Sequence, residues 1–255
     1  MAAAAPVINL AFNFGKFYAL ALTTLKQLPK RPFQLREFLE QSWFIVSVSI
    51  VPTVMMAIPF CVIVVFQLNQ LLTQMGATDL SGAGAGLAVV REIGPMVSVL
   101  VVAGAGATAM CADLGSRTIR EEIDALKVMG IDPIARLVVP RVLASTGVAL
   151  ALNGAVTLVG LGGSFLFTVF VQNGSAGLFV ANLTLLTNLG DFLVSELKAA
   201  VFGLLAGLVA CHLGLNAKGG PKGVGDAVNQ TVVFAFLLLF LANSIITAVY
   251  LQFRY

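Results

Sequence analysis

Two pairs of charged residues interrupt long apolar stretches of the chain. Arg91 and Glu92 are adjacent, and Glu196 and Lys198 are two positions apart. A charge within a hydrocarbon layer is costly unless it is paired or hydrated, and such charges often mark a substrate pathway. Two interpretations stay open: a structural role in ion pairs or at the membrane interface, or the lining of a cavity that meets a headgroup or carboxylate. We also expect Glu92 to pair with Lys198.

The densest run of charge is SRTIREEIDALKVMGIDP, residues 116–133. Thr118 and Glu121 have the T-x-x-E spacing of a capping box, which begins a helix. Gly130 supplies a residue suited to the left-handed conformation after a helix, and Pro133 prevents its continuation. The sequence therefore predicts a short helix over about 116–130, too short and too charged to cross a membrane.

This helix is predicted to have two faces. Its apolar residues recur at steps of three or four, namely Ile119, Ile123, Leu126 and Met129. Arg117 with Glu121, and Arg120 with Asp124, stand four apart, where opposite charges attract. The pattern favours equally a loop helix that stiffens a turn on the membrane and a knob that enters a groove on a partner protein.

Sequence motifs of catalysis, nucleotide binding and metal binding are missing. GAGATA, residues 104–109, fits G-x-G-x-x-A but lies within an apolar run instead of following a strand. GGPKGVG, residues 219–225, lacks the G-x-x-x-x-G-K-[ST] pattern of a P-loop. His212 is the only histidine. We therefore expect no enzyme and no cofactor bound by this chain, and the net charge of +3 gives no reason to expect nucleic acid.

The elements that position these residues are predicted to be membrane helices. The chain of 255 residues is 58% hydrophobic and 11% charged, whereas soluble domains carry about 25% charged residues. About 20 apolar residues cross a bilayer, and five stretches qualify: about 43–71, 88–112, 142–171, 193–215 and 228–251. Gly203 and Gly207 have the spacing of a helix-packing face. The cysteines fall in apolar runs without metal-binding spacing and are interpreted as core residues: Cys61, Cys111 and Cys211.

Basic residues predict the orientation of these helices. Lys and Arg cluster before the first span, between the second and third spans, and between the fourth and fifth. The intervening segments 72–87 and 172–192 contain neither. By the positive-inside rule, the N-terminus is cytoplasmic and the C-terminus is extracytoplasmic in the plasma (inner) membrane.

Residues 12–40 show a different pattern, typical of an amphipathic helix that lies in the membrane surface. Apolar residues recur near helical spacing at Phe14, Phe17, Ala21, Leu25 and Leu28. The alternative is a cytosolic tail that orders only on a partner. We divide the chain into an interfacial segment, 1–41, and a five-helix membrane domain, 42–255.

Two long motifs identify a family. REIGPMVSVLVVAGAGATAMCADLGSRTIREEIDALKVMGIDPIARLVVPR, residues 91–141, and KGGPKGVGDAVNQTVV, residues 218–233, resemble MlaE/YrbE-type permeases. These are membrane subunits of ABC transporters that work with MCE proteins. RPFQLREFLEQSWF, residues 31–44, and DLSGAGAGL, residues 79–87, resemble the actinobacterial YrbE "A" type, which pairs with a "B" sister permease.

The resemblance implies an all-α integral membrane protein with the MlaE-like permease fold, in which the helix between the second and third spans is a coupling helix. It docks into a cytosolic ABC ATPase, which carries the ATP and magnesium. Its carried-over contact residues are Arg117, Arg120, Glu121, Glu122, Asp124, Ala125, Leu126, Met129 and Gly130. The resemblance also places Arg91 and Glu92 near a lipid pocket, and we add Glu196 and Lys198 to that pathway.

The resulting expectation is an ATP-driven permease subunit, embedded in membrane lipid, that imports a hydrophobic substrate: a fatty acid, a mycolic-type acid, a sterol or a phospholipid. MCE proteins would deliver this substrate through a tunnel. A membrane anchor for an MCE surface complex, without transport of its own, is the main alternative. An intramembrane enzyme is the third hypothesis, but the sequence shows no nucleophile with a base in reach.

Overall fold

A computed structural model describes the backbone of residues 4–28, 34–77 and 80–254 and the side chains of residues 15–28, 34–77 and 80–252. The elements over these residues are helices: α1 (Ala4–Gln27), α2 (Leu35–Gln74), α3 (Ser81–Gly86), α4 (Gly94–Val101), α5 (Thr108–Ile119), α6 (Glu122–Val128), α7 (Val139–Phe170), α8 (Ala176–Leu183), α9 (Leu189–Leu215) and α10 (Gly220–Arg254). Wider π-helical segments join α3 to α4 (Leu87–Ile93), join α4 to α5 (Val102–Ala107) and lead into α7 (Ile134–Val138). The predicted all-α fold is confirmed.

Five helical stretches are long and apolar enough to cross a membrane: Leu35–Gln74, Ser81–Ile119, Ile134–Phe170, Leu189–Leu215 and Gly220–Gln252. Each overlaps one predicted span, so the five spans are confirmed and the chain is an integral membrane protein. Every helix begins before the apolar run that revealed it, because hydropathy marks the apolar part alone while the helix continues through polar turns. The second stretch includes two of the three π-helical segments, Leu87–Ile93 and Val102–Ala107, and such segments are often found at functional sites.

Successive spans run in opposite directions, so alternate connecting segments lie at opposite ends of the bundle. These two ends differ in their content of basic residues. The end that carries Arg117, Lys127 and Lys218 is named the basic end. The other is named the far end; there the short helix α8 packs against α3 and buries Phe179. A Cβ on Gly82 would collide with the backbone of Phe179, so this close contact requires glycine.

Helix α1 lies against the basic end of the bundle. Phe17 packs edge-on against His212 of α9, with ring centroids 5.7 Å apart. Gln27 donates a hydrogen bond to Asp132, after α6, at 2.6 Å. Leu25 is exposed, so α1 keeps an uncovered apolar surface. The side chain of Phe14 and residues 29–33 of the predicted interfacial segment lie outside the described residues.

Two glycines let α7 and α9 approach closely. A Cβ on Gly203 would lie 2.6 Å from the carbonyl oxygen of Ser145, and one on Gly207 would lie 3.2 Å from the Cα of Val142. Ser145 uses this proximity to donate a hydrogen bond to the carbonyl of Gly203 at 2.7 Å. The predicted packing face is confirmed.

All three cysteines are free thiols in the interior: Cys61, Cys111 and Cys211. Each has no exposed surface, and each packs within an apolar cluster between helices. Their interpretation as core residues is confirmed.

Helices α2 and α10 are the least covered spans. Within their apolar windows 28% and 17% of residues are buried, against 50–61% in the other three spans. Their uncovered surfaces carry large apolar side chains, among them Val51, Met55, Ile63, Leu237, Leu241 and Ile245. Apolar surface on this scale faces lipid or another membrane subunit.

Candidate functional site

The charged stretch at the basic end is built as a sharp corner between two helices. Helix α5 ends at Ile119, and α6 begins at Glu122. Between them Glu121 adopts a left-handed conformation, with φ of 60°. Such a conformation costs a residue other than glycine about 1–2 kcal/mol, and it persists only where the surrounding structure enforces it. The corner turns α6 away from the direction of the second span.

The C-terminus of α6 is also followed by a left-handed residue. Gly130 has φ of 75°. Its N–H donates to the carbonyl of Lys127, and the N–H of Ile131 donates to that of Leu126, both at 3.0 Å. These two bonds form a Schellman motif, which satisfies carbonyls at the end of the helix. The predicted role of Gly130 as the helix stop is confirmed.

The start of the helix differs from the prediction. Thr118 makes no capping box with Glu121, because its hydroxyl donates to the carbonyls of Leu114, at 2.9 Å, and Gly214, at 3.1 Å. The hydroxyl is therefore part of the contact between α5 and α9. The charged stretch forms the end of one helix followed by a separate helix of seven residues.

The predicted ion pairs across four residues are also wrong. Arg117 pairs with Asp113 at 3.3 Å, and Arg120 pairs with Glu122 at 3.1 Å. The left-handed residue at 121 interrupts the helical period, so residues on its two sides no longer face each other at a spacing of four. Lys127 and Asp124, both within α6, pair at 2.8 Å.

The two faces of α6 have different surroundings. Ile123 is buried in an apolar cluster with Leu137 and Val138. Met129, predicted on the same face, is 64% exposed, and its neighbour Val128 is 89% exposed. The corner thus presents apolar side chains outward beside charged ones, which suits contact with another protein. Sequence analysis missed Val128, which lies off the predicted apolar stripe.

The remaining predicted coupling residues surround these side chains. Exposed residues are Arg120, Glu121, Asp124, Ala125 and Gly130. Half-buried residues are Arg117, Glu122 and Leu126. The structure therefore brings the whole predicted set to one corner of the basic end, with Arg117 on the side nearest the bundle.

Beneath this corner lies a buried ion network that sequence analysis did not foresee. Arg141, at the start of α7, has no exposed surface. Its guanidinium pairs with Asp113 of α5 at 2.6 Å and with Glu37 of α2 at 3.3 Å. It also donates to the carbonyl of Leu137 at 3.0 Å. Because Asp113 also pairs with Arg117, the network joins three spans next to the corner that holds α6.

Toward the far end, Arg91 has few partners. Its Nε lies 3.7 Å from Oε1 of the adjacent Glu92, too far for a hydrogen bond. Its guanidinium carbon lies 5.6 Å from the centre of the Tyr250 ring, a cation–π contact. Among the described residues, the buried Nε has no hydrogen-bond partner. Arg91 is therefore a largely buried cation with unused donor capacity.

Lys198 is buried close to Arg91, whose backbone carbonyl lacks its usual α-helical hydrogen bond because residue 95 is a proline. A regular α-helix would supply the carbonyl of Arg91 with the N–H of residue 95, but Pro95 has none. Lys198 Nζ lies 3.5 Å from that carbonyl oxygen. The predicted Glu92–Lys198 pair is not formed within 4.0 Å in the described part of the chain.

Glu196 is held by a different partner, Asn153 of α7. The amide of Asn153 donates to Ser195 at 2.9 Å and to Glu196 at 3.1 Å. Its carbonyl oxygen accepts from Ser98 of α4 at 3.4 Å. Asn153 is fully buried, so it ties three spans together through polar contacts within the bundle.

A further pair closes this region at the far end of the bundle. Tyr250 of α10 donates a hydrogen bond to Asp191 of α9 at 2.8 Å. Asp191 also accepts from the backbone of Asn188 at 3.0 Å and caps the start of α9. Neither residue was predicted from the sequence. Tyr250 has its role only because it lies beside Arg91, and Asp191 has its role only because it accepts from Tyr250.

The two predicted charged pairs are thus brought to the same part of the bundle but not into one network. Arg91, Glu92 and Lys198 lie together, while Glu196 joins Asn153. This arrangement offers cationic donors beside apolar helix surfaces, which suits a molecule with a polar or anionic head and an apolar body. Among the described residues, no cluster of three or more His, Cys, Asp or Glu side chains could hold a metal ion.

Comparison with known proteins agrees with this architecture. The chain is 33% identical over 168 residues to a probable ABC transporter permease protein of Synechocystis, which covers 66% of this chain and 64% of that protein. It is 31% identical over 180 residues to TRIGALACTOSYLDIACYLGLYCEROL 1, a chloroplastic protein of Arabidopsis thaliana, covering 71% of this chain and 51% of that protein. The chain thus spans less than two thirds of either relative.

A probable ABC transporter permease protein of Rickettsia typhi aligns over nearly the full length, with 29% identity across 94% of this chain and 93% of that protein. The family model described as Permease MlaE matches residues 38–249. That range includes the second, third and fourth spans, all but the outer ends of the first and fifth spans, the corner at α6 and both charged regions. On this evidence the chain belongs to the MlaE permease family.

Proposed function

We propose that this chain is the permease subunit of an ATP-driven MCE-type transporter that imports lipid, and that α6 is its coupling helix. The observation that carries the proposal is the corner at Glu121 and Gly130. It holds α6 with one face against the bundle and the other exposed. A rigid projection of this kind transmits force from a protein in water to helices in lipid.

The orientation follows from the basic end. Lys and Arg concentrate there, so by the positive-inside rule it faces the cytoplasm. The N-terminus is then cytoplasmic, and the C-terminus is extracytoplasmic in the plasma (inner) membrane. Helix α1 lies in the membrane surface on the cytoplasmic side, where its exposed Leu25 meets lipid.

The partner at α6 is a cytosolic ABC ATPase, which binds ATP and magnesium, while this chain binds no cofactor. Val128 and Met129 provide the apolar contact, and Glu122 and Asp124 fix its register. Movement of α6 reaches the spans by two routes: directly through α5, and through the Arg141 network that joins α5, α7 and α2. The permease itself is a non-catalytic subunit.

The cargo is a lipid with a polar or acidic head: a fatty acid, a mycolic-type acid, a sterol or a phospholipid. Arg91 and Lys198 meet its head, with Glu92 and Glu196 alongside. The Arabidopsis relative is named after a diacylglycerol lipid, which supports a lipid as the cargo. MCE proteins deliver the cargo at the far end, which this orientation places outside the cell.

The uncovered faces of α2 and α10 suit a second membrane subunit. The motifs at residues 31–44 and 79–87 support the actinobacterial YrbE "A" type, whose partner is a "B" sister permease. A membrane anchor without transport is the competing function. It predicts no lipid movement when ATP is added to the assembled complex, whereas a transporter predicts ATP-dependent movement.

The test is reconstitution of the chain with its partner chains in vesicles, followed by ATP-driven movement of fluorescent lipid. We expect Glu122→Lys and Asp124→Lys to abolish movement and ATPase binding while the permease folds normally. Glu40→Lys is the matched control, because Glu40 is also an exposed acid in an ion pair, with Arg36, but lies on α2. Normal movement in all three variants would overturn the coupling assignment.

A further inference from the structure

A large cavity lies at the basic end, away from Arg91. It is an open cleft with a volume of about 690 Å³ between α1, α9 and α10. Ligand sites for small molecules commonly occupy about 300–1,000 Å³. The cleft is thus large enough for part of an organic ligand, and neither the coupling corner nor the charged pathway contributes to its lining.

The lining changes from polar to apolar along one face of α10. Asp226, Gln230, Phe234 and Leu238 succeed one another at steps of four and all line the cleft. Side chains four apart lie above one another on a helix. The cleft is therefore polar where α10 begins at the basic end and apolar deeper along the span.

Helix α9 shows the same gradient in the opposite chain direction. Val209 and Leu213 line the deeper part, and Asn216 follows at the end of the helix. Phe17 of α1 adds an aromatic wall. The matching gradients on two spans fit an amphiphile whose tail points into the bundle and whose head lies at the basic end.

The charges at the mouth select the sign of that head. Lys218 and Lys16 line the cleft, with Asp226 as the only acid among the lining residues. Basic pockets between membrane helices bind acidic lipid headgroups. We propose that an acidic phospholipid of the adjoining leaflet occupies this cleft, where it joins α1 to α9 and α10.

This lipid is distinct from the transported cargo, because its site lies at the other end of the bundle from Arg91. The proposal depends on the chain being embedded in a bilayer and is independent of the direction of transport. It strengthens the attachment of α1 to the bundle beside the direct contact of α1 with α9, since the lipid contacts all three helices that line the cleft.

Native mass spectrometry of the full chain in an uncharged detergent tests the proposal, with phosphatidylglycerol and phosphatidylcholine as probes. We expect one saturable phosphatidylglycerol per chain and weaker retention of phosphatidylcholine. Lys218→Gln should weaken phosphatidylglycerol binding about fivefold, the effect expected for one basic residue near a headgroup. Lys26→Gln, an exposed lysine of α1 outside the cleft, is the matched control and should bind as the unmodified chain does.

A second pair of variants tests the apolar part. Leu238→Trp fills the cleft and should reduce retention, whereas Leu237→Trp on the exposed side of the same helix should not. Three outcomes would overturn the proposal: equal retention of both lipids, equal effects of the two lysine variants, or equal effects of the two tryptophan variants. The second would point to diffuse charge attraction, and the third to an occupant elsewhere on the surface.

Discussion

Each end of the bundle contains a buried arginine, and the two side chains differ in their ion pairs and contacts. Arg141 makes two ion pairs to other spans, at 2.6 and 3.3 Å, and donates to a carbonyl of its own helix. Arg91 lies 3.7 Å from its neighbour Glu92 and faces the ring of Tyr250. Each guanidinium has a buried Nε without a hydrogen-bond partner among the described residues, but the charge of Arg141 is neutralised by two carboxylates of other spans, whereas the nearest carboxylate to Arg91 is the adjacent Glu92. Arg141 therefore joins spans through its ion pairs, and the weaker pairing of Arg91 is compatible with the proposed contact to a lipid headgroup.

The largest effect is expected from Arg141→Met. This change leaves Asp113 and Glu37 without their shared cation, and breaking a buried ion pair costs about 3–5 kcal/mol. The free energy of unfolding, measured by denaturant titration in detergent, should fall by about that amount. Arg136→Gln is the control, because Arg136 is exposed near the same end and should change stability little. An equally stable Arg141→Met variant would remove the proposed joint between the spans.

Asn153→Ala is expected to have the next largest effect. It removes the hydrogen bonds to Ser195 and Glu196 and leaves buried polar groups unsatisfied, at a cost of about 1–3 kcal/mol. The same titration should show this loss, and lipid movement should fall because Glu196 is no longer held. Ser244→Ala is a suitable control, since the Ser244 hydroxyl bonds only to its own helix at an exposed position. Equal stability of the two variants would mean that Asn153 does not tie the spans together.

Lys198→Met, like Arg141→Met, replaces a buried cation by an apolar side chain, but toward the far end of the bundle. It should have the smallest effect on stability. Among the described residues, the polar contact of the buried Lys198 is one carbonyl at 3.5 Å, and replacing a poorly satisfied buried charge by an apolar side chain is often neutral or stabilising. We expect stability to be unchanged or to rise by about 1 kcal/mol, while ATP-driven lipid movement is lost. A large loss of stability would assign Lys198 to the framework and erase the contrast with Arg141.

Hydropathy predicted the helices well because each span needs a long apolar run, and nothing else in the chain resembles one. The charged stretch was harder. A T-x-x-E pattern at Thr118 and Glu121 indicates a capping box only while the hydroxyl of Thr118 is free. In the folded chain that hydroxyl reaches Gly214 of another span, and a pattern within one helix contains no record of such a contact.

The same limit explains the missed residues. Glu37, Asp113 and Arg141 come from three spans that are distant along the chain, so their meeting follows from packing and not from spacing. Arg141 belongs to the basic group between the second and third predicted spans, and that pattern alone does not indicate burial. The far-end charges were recognised individually, but their partners Tyr250 and Asn153 carry no distinctive signal in the sequence.

The burial of every native sulfhydryl has a practical consequence. A water-borne maleimide meets no reactive group on the folded chain, since Cys61, Cys111 and Cys211 are enclosed between helices. A single cysteine introduced at an exposed site such as Val128 therefore becomes a unique site for labelling, without prior removal of the natural cysteines. Labelling from one side of a sealed vesicle then reports which compartment that corner of the molecule occupies.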